Sequence, residues 1–218
     1  MMMRFWCIIM KSKYFIFDLD DTIVNEVDYL KSAYREIALS IGDCKIYESM
    51  LEWYFNGEDV FDKLSIIYTI DKTQLLNAYR SHIPTLILND GIAKIFAAIK
   101  FKGNFLGLIT DGRSVTQRNK LRALAIESIF DLIIISEEFG SSKPNSKNYE
   151  IFHNEFCSDY FYIGDNVTKD FISPNKLGWQ TVCLLDKGEN VHNQNFDLPQ
   201  EFMPNHKIKD ITELLAFI

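Results

Sequence analysis

Three carboxylates and a threonine, within Asp18-Leu19-Asp20-Asp21-Thr22, follow directly on four residues of strong β character, Tyr14-Phe15-Ile16-Phe17. An apolar run this short, ended abruptly by charge, reads as a strand buried on both faces of a parallel sheet. Ligands of such sheets bind beyond the carboxyl ends of the strands. Side chains two apart on an extended chain point the same way, so Asp18 and Asp20 project together while Leu19 and Asp21 point elsewhere. Two acids held side by side repel, and burial raises the cost for each. The pair therefore calls for a divalent cation or a shared proton. The competing reading is a polar strand end that caps the following helix, as many Asp and Thr residues do.

The same grammar recurs downstream. Thr110-Asp111-Gly112 ends a second apolar strand, and Ser136-Glu137-Glu138 followed by Lys143-Pro144 comes after a third. Gly164-Asp165-Asn166 ends a fourth, with Asp170 five residues beyond Asp165. Each alone has an ordinary explanation. Thr110 suits an N-cap, Lys143 a solvated loop, Asp165 a turn, and Asp170 the first turn of a helix. In a parallel sheet, however, all these ends meet on one edge. That gathers acids, a hydroxyl, an ammonium and glycine-freed backbone amides in a single crevice.

The elements that must position these groups fall into two blocks. From 24 to 88 the pattern is helical, with apolar spacing over 25–41, 46–55, 60–68 and 72–81 and no convincing strand. From residue 89 helix and strand alternate. Helices are expected at 91–101, 114–124, 147–156 and 169–177, and strands at 105–109, 132–135, 160–163 and 181–185. A polar loop at 187–205 and a short closing helix at 211–217 complete the chain. Alternation of this kind means βαβ units and a parallel sheet with helices on both faces, an α/β fold. The first strand joins that sheet, so the helical block is an insertion directly after it. The expected domains are a core of residues 11–23 and 89–218 and a cap of residues 24–88.

The order D-x-D-x-T, then Thr, then Lys-Pro, then G-D-x-x-x-x-D resembles the haloacid dehalogenase superfamily over about residues 14–185. The resemblance implies a Rossmann-like core with a small helical cap and a Mg²⁺-dependent phosphatase that forms an aspartyl-phosphate. It implies Asp18 as nucleophile and Asp20 as general acid/base, with Thr110, Asp111, Gly112 and Lys143 around the phosphate. Mg²⁺ would be held by Asp18, the main-chain carbonyl of Asp20 and Asp165, with Asp170 in support. The physical chemistry agrees: a carboxylate can attack phosphorus once its repulsion from the phosphate is neutralised. Oxygen donors are what Mg²⁺ prefers. The acid at Asp20 disfavours a dehalogenase, because members that cleave carbon–halogen bonds carry no acid there. A phosphoryl-transferring mutase would share every one of these residues. A phospho-aspartate receiver or non-catalytic binding module fits less well, since Ser136 stands where a receiver carries its Asp and receivers have no helical insertion.

Composition narrows the partners. A formal net charge of −7 argues against nucleic acid and anionic membrane surfaces without excluding phosphorylated substrates; the resemblance implies a small phosphorylated metabolite such as a sugar phosphate or nucleotide. Cys7, Cys44, Cys157 and Cys183 form no C-x-x-C, and read as buried thiols in a reducing compartment, the cytoplasm. The apolar stretch 5–10 is too short for a signal peptide, and residues 1–9 read as a dispensable extension. A monomer or weak dimer is expected. Within the cap, Trp53-Tyr54-Phe55-Asn56-Gly57-Glu58 reads as cap core plus a turn, or as a lip facing substrate. Arg113 reads as a crevice residue or as a solvated helix start.

Overall fold

The computed structural model describes residues 11–218, so the expectation for residues 1–9 lies outside the described part. Strand β1 (Ser12–Phe17) opens the chain and is followed by four helices, α1 (Glu26–Ile41), α2 (Ile46–Phe55), α3 (Val60–Tyr68) and α4 (Lys72–Ser81). Helix α5 (Asp90–Phe101), strand β2 (Phe105–Thr110), helix α6 (Ser114–Ala123) and strand β3 (Leu132–Ile135) come next. The short helices α7 (Ser136–Phe139) and α8 (Lys147–Glu150) precede β4 (Cys157–Gly164), α9 (Ile172–Lys176), β5 (Gln180–Leu184) and β6 (His206–Ile208). All pairings are parallel, in the order β3-β2-β1-β4-β5-β6.

The order of strands reverses at β1, between β2 on one side and β4 on the other. That is the switch point at which open α/β sheets leave a crevice beyond the strand ends. Alternation along β1 feeds both faces of the sheet. Phe15 and Phe17 enter one buried cluster with Ile95, Phe96 and Leu121, whereas Tyr14 and Ile16 enter another with Tyr149, Phe152 and Tyr162. Fully apolar burial on both faces is why this strand shows no polar alternation in sequence.

Helices α1–α4 pack around their own cluster of Leu30, Tyr34, Ile37, Met50, Val60, Leu64 and Leu75. Asp59 and Asp71 cap α3 and α4 by accepting from the amides of Asp62 and Thr73. Trp53 and Tyr54 pack against this cluster, and Phe55 at the end of α2 is exposed.

Several expected boundaries shift. The helix expected over 147–156 stops at Glu150, because Asn154 turns the chain: its amide donates to Tyr160 Oη at 2.8 Å and its carboxamide accepts from Phe156 N at 2.9 Å. Strand β4 consequently starts at Cys157. The helix expected from 169 starts at Ile172, since Asp170 is drawn into the interior. The closing segment Ile211–Ala216 is a 3₁₀ helix with an Asp210/Glu213 capping box. Strand β6 and helix α7 were not expected.

Candidate active site

Strand β1 ends in a tight turn in which Ile23 N and Val24 N both donate to Leu19 O. Leu19 joins the core, as alternation requires. Asp21 departs from it: its φ of 55° is left-handed, which releases it from the strand rhythm. Its carboxylate accepts from Glu26 N at 2.8 Å and Val191 N at 2.9 Å, so it caps α1 and ties down the loop after β5. The capping reading of this motif thus holds for Asp21 alone. Asp18, Asp20 and Asp21 all line a cavity of about 130 Å³ with Glu26, Thr110, Asp111, Asp165, Asn166, Lys169 and His192.

Asp18 is buried, and its Oδ1 lies 2.8 Å from Lys143 Nζ. The same ammonium reaches Asp170 Oδ1 at 2.8 Å and Tyr162 Oη at 3.2 Å. Burial alone would lower the lysine's pKa. The fields of Asp170 and Asp18 outweigh it and hold the group charged, well above the usual range. Asp170 is held by protein donors on both oxygens, since Oδ2 also accepts from Asn166 N at 2.9 Å. Gly164 permits this, because a Cβ there would overlap the Asp170 carboxylate. Asp165 Oδ2 accepts from Asn190 Nδ2 at 2.9 Å, and its carbonyl accepts from Gln194 Nε2 at 2.9 Å.

Carboxylate oxygens of Asp18, Asp165 and Asp170 lie within 4.8 Å of one another, all buried. Three acids against one ammonium leave excess negative charge in a desolvated place. Burial, partly relieved by Lys143 and reinforced by Asp170, pushes Asp18 up to about 7. Burial and the charge of Asp18 push Asp165 up to about 8. A buried, oxygen-only donor set with uncompensated charge suits a hard divalent cation. The residues present fit such a metal.

Thr110 Oγ1 accepts from Gln117 Nε2 at 2.5 Å, inside the same cavity as Asp18. The Asp111 carboxylate accepts from Lys143 N at 3.1 Å and pairs with Lys169 Nζ at 3.2 Å. Gly112 stands apart: its amide donates to Ser136 Oγ at 2.9 Å, and it lines a neighbouring open cavity with Arg113 and Glu137. Arg113 pairs with Glu137 at 3.0 Å on the surface. Glu137 also accepts from Ser114 N and so caps α6, and Glu138 accepts from Ser114 Oγ.

Several residues at the site were not anticipated. Lys120 and Gln117 hold the Asp20 carboxylate, at 2.6 and 2.8 Å. Glu26, pushed up to about 7 by burial and then by Asp20, lines the cavity from the start of α1. Asn190 and Gln194 reach in from the loop after β5. Tyr54, from the aromatic segment of α2, packs against the cap cluster, and burial raises its hydroxyl pKa.

Residues 15–184 match the haloacid dehalogenase-like hydrolases, and the chain belongs to that family. Within it the chain is a phosphatase-type enzyme with an inserted helical cap. It is 27% identical to the glyceraldehyde 3-phosphate phosphatase of Methanocaldococcus jannaschii, across 93% of this chain and 95% of that protein. Over 50% of this chain and 47% of the other, it is 30% identical to the pyrimidine 5'-nucleotidase YjjG of Escherichia coli. The HAD-hydrolase YfnB from Bacillus subtilis, solved with magnesium, shares the fold with a TM-score of 0.68 at 21% identity, covering 95% of this chain and 98% of that one. Among the described residues no helix is long and apolar enough to cross a membrane.

Proposed function

We propose that this chain hydrolyses a small phosphomonoester through an aspartyl-phosphate on Asp18, with Mg²⁺ as the metal. The observation that carries this reading is the Lys143 ammonium, 2.8 Å from Asp18 Oδ1 and buried with it, while Asp18 Oδ2 has no protein donor among the described residues. One oxygen is oriented and the other is left to attack.

Asp18, the Asp20 carbonyl and Asp165 would hold the metal, with Asp170 steering Lys143 and the backbone at Asn166. When bound, Mg²⁺ neutralises phosphate charge and stabilises the phosphoryl group in flight. Lys143 supplies a positive charge on the attacking side, and Thr110 offers a hydroxyl to a phosphoryl oxygen. The Asp18 oxygen forms its bond to phosphorus as the ester bond breaks, and Asp20 gives its proton to the departing alkoxide. Asp20 then takes a proton from the water that cleaves the aspartyl-phosphate, releasing inorganic phosphate and restoring Asp18.

Residues 24–88 serve as the cap over a core of 11–23 and 89–218. The cavity takes the phosphoryl end of the substrate among Asp18, Thr110 and Asp165. Relatives named as glyceraldehyde 3-phosphate phosphatases point to a short sugar phosphate. A monomeric or weakly dimeric cytoplasmic enzyme completes the reading; Cys157 and Cys183 are buried free thiols as expected, whereas Cys44 is exposed.

The test is phosphate release over a panel of triose, hexose and nucleoside phosphates with Mg²⁺, together with two variants. Asp18→Asn is expected to abolish turnover and phosphorylation. Asp20→Asn is expected to lose on the order of 10²–10⁴-fold on alkyl phosphates and far less on p-nitrophenyl phosphate, whose leaving group needs no proton. Turnover by Asp18→Asn at the wild-type rate would sink the reading.

A further inference from the structure

The mechanism requires Asp20 to be aimed, and both of its oxygens are already gripped. Lys120 Nζ lies 2.6 Å from Oδ1, and Gln117 Nε2 donates to Oδ2 at 2.8 Å. The two donors stand three apart on α6, on one helix face, which is the spacing that lets them close on a single carboxylate. Both side chains are buried. Among the described residues Asp20 is the only hydrogen-bond acceptor for the Lys120 ammonium. The ring of Tyr29 from α1 lies 4.7 Å away at its centre, and the Glu26 carboxyl is near enough to feel the lysine's charge without a hydrogen bond to it.

A buried ammonium with one acid partner differs from a solvated surface pair. Its position is fixed by the partner it neutralises, and losing either member strands the other. Gln117 adds a constraint. Its two amide protons serve three acceptors, Asp20 Oδ2, Thr110 Oγ1 at 2.5 Å and Asp111 O at 3.0 Å. The general acid and the phosphate-side hydroxyl therefore share one anchor.

Helix α6 also meets the cap. Thr116 Oγ1 donates to Arg80 O, and Asn119 Nδ2 donates to Ser81 O and His82 O, at the end of α4. Tyr29 Oη donates to Tyr79 O in the same region. The helix that aims Asp20 is thus the one on which the cap is seated.

We propose that Lys120, with Gln117, is a positioning residue for the leaving-group chemistry: it aims the Asp20 carboxyl at the departing oxygen and ties that aim to the seating of the cap. The inference rests on the phosphatase reading above. A purely structural lysine would, when removed, slow all substrates alike. A positioning residue acting through Asp20 slows those that need a proton.

The experiment measures kcat and KM of the full chain with Mg²⁺ on p-nitrophenyl phosphate and on glycerol phosphate. Lys120→Met is expected to lose on the order of 10–100-fold more kcat on the alkyl ester than on the aryl ester, a part of what acid–base assistance supplies. KM is expected to move little, and Lys120→Arg to restore most of the loss. Placed on Asp20→Asn, the Lys120→Met change is expected to add less than about threefold, because both act through one group. If Lys120→Met does not fold, Lys120→Gln, which keeps a donor without the charge, is read by the same ratio. Equal losses on the two esters, or full additivity with Asp20→Asn, overturn the inference while leaving the phosphatase reading standing. A wild-type chain that releases phosphate from neither these esters nor the panel overturns both.

Discussion

Asp18 and Asp165 carry folded pKa values of about 7 and about 8, raised chiefly by burial. The folded protein therefore keeps protons that the unfolded chain has already lost above about pH 4. Stability falls with pH wherever the native state binds more protons. The metal-free protein is expected to be most stable near pH 5 and to lose stability as pH rises to 8. Mg²⁺ should remove that loss by neutralising the same acids. Thermal unfolding in chelator at pH 5 and 8 checks this, and Asp165→Asn should flatten the difference. A melting temperature that rises across this range in chelator contradicts it. The acids at strand ends were legible in the sequence because position and charge coincide there. Lys120 and Gln117 were not. They lie mid-helix in a polar stretch that looks solvated, and they meet Asp20 only across about one hundred residues of chain.

At the scale of elements, the least legible piece is the loop between β5 and β6. Its composition reads as solvent-exposed, and strand β6 is only three residues long, too short to display alternation. Asp186 nevertheless folds it locally by accepting from the amides of Gly188, Glu189 and Asn190. That turn delivers Asn190 to Asp165 and Val191 N to Asp21. Partners that orient a metal-holding carboxylate typically contribute 10–100-fold to affinity. Asn190→Ala is expected to weaken Mg²⁺ binding by about tenfold, measured by calorimetric titration, with little change in melting temperature in chelator. Unchanged affinity would confine this loop to a covering role. The cap helices were fully legible, with α2, α3 and α4 bounded as expected, because amphipathic spacing and Asp caps are local signals.

Across the whole molecule, the sheet and the inserted helices are built on separate hydrophobic cores. The sheet clusters hold the acids, and the cluster around Leu64 holds the cap. Leu64 is fully buried, and Leu64→Ala in such a site costs about 2–5 kcal/mol. That cost should fall on the cap. Circular dichroism and Mg²⁺ titration on this variant are expected to show partial loss of helix with metal affinity kept. Metal affinity that collapses together with the helix signal would mean that the two cores unfold as one. The α/β class and the insertion were visible because the change from helical to alternating grammar is abrupt near residue 89. The seating of cap on core was not, since it depends on side chains of α6 meeting the last carbonyls of α4.

The central place of β1 also bears on the making of the protein. The first described strand to leave the ribosome is the third across the sheet, and one of its two neighbours begins only at Cys157. Until that partner is synthesised, Tyr14, Phe15, Ile16 and Phe17 form an aromatic, β-prone segment with an open edge, the kind of surface that invites association. Helices α1–α4, which close their own cluster from local contacts, can fold meanwhile. The early chain is thus a folded helical knob beside a waiting strand, and its residence in that condition is set by the rate of translation through Gly164.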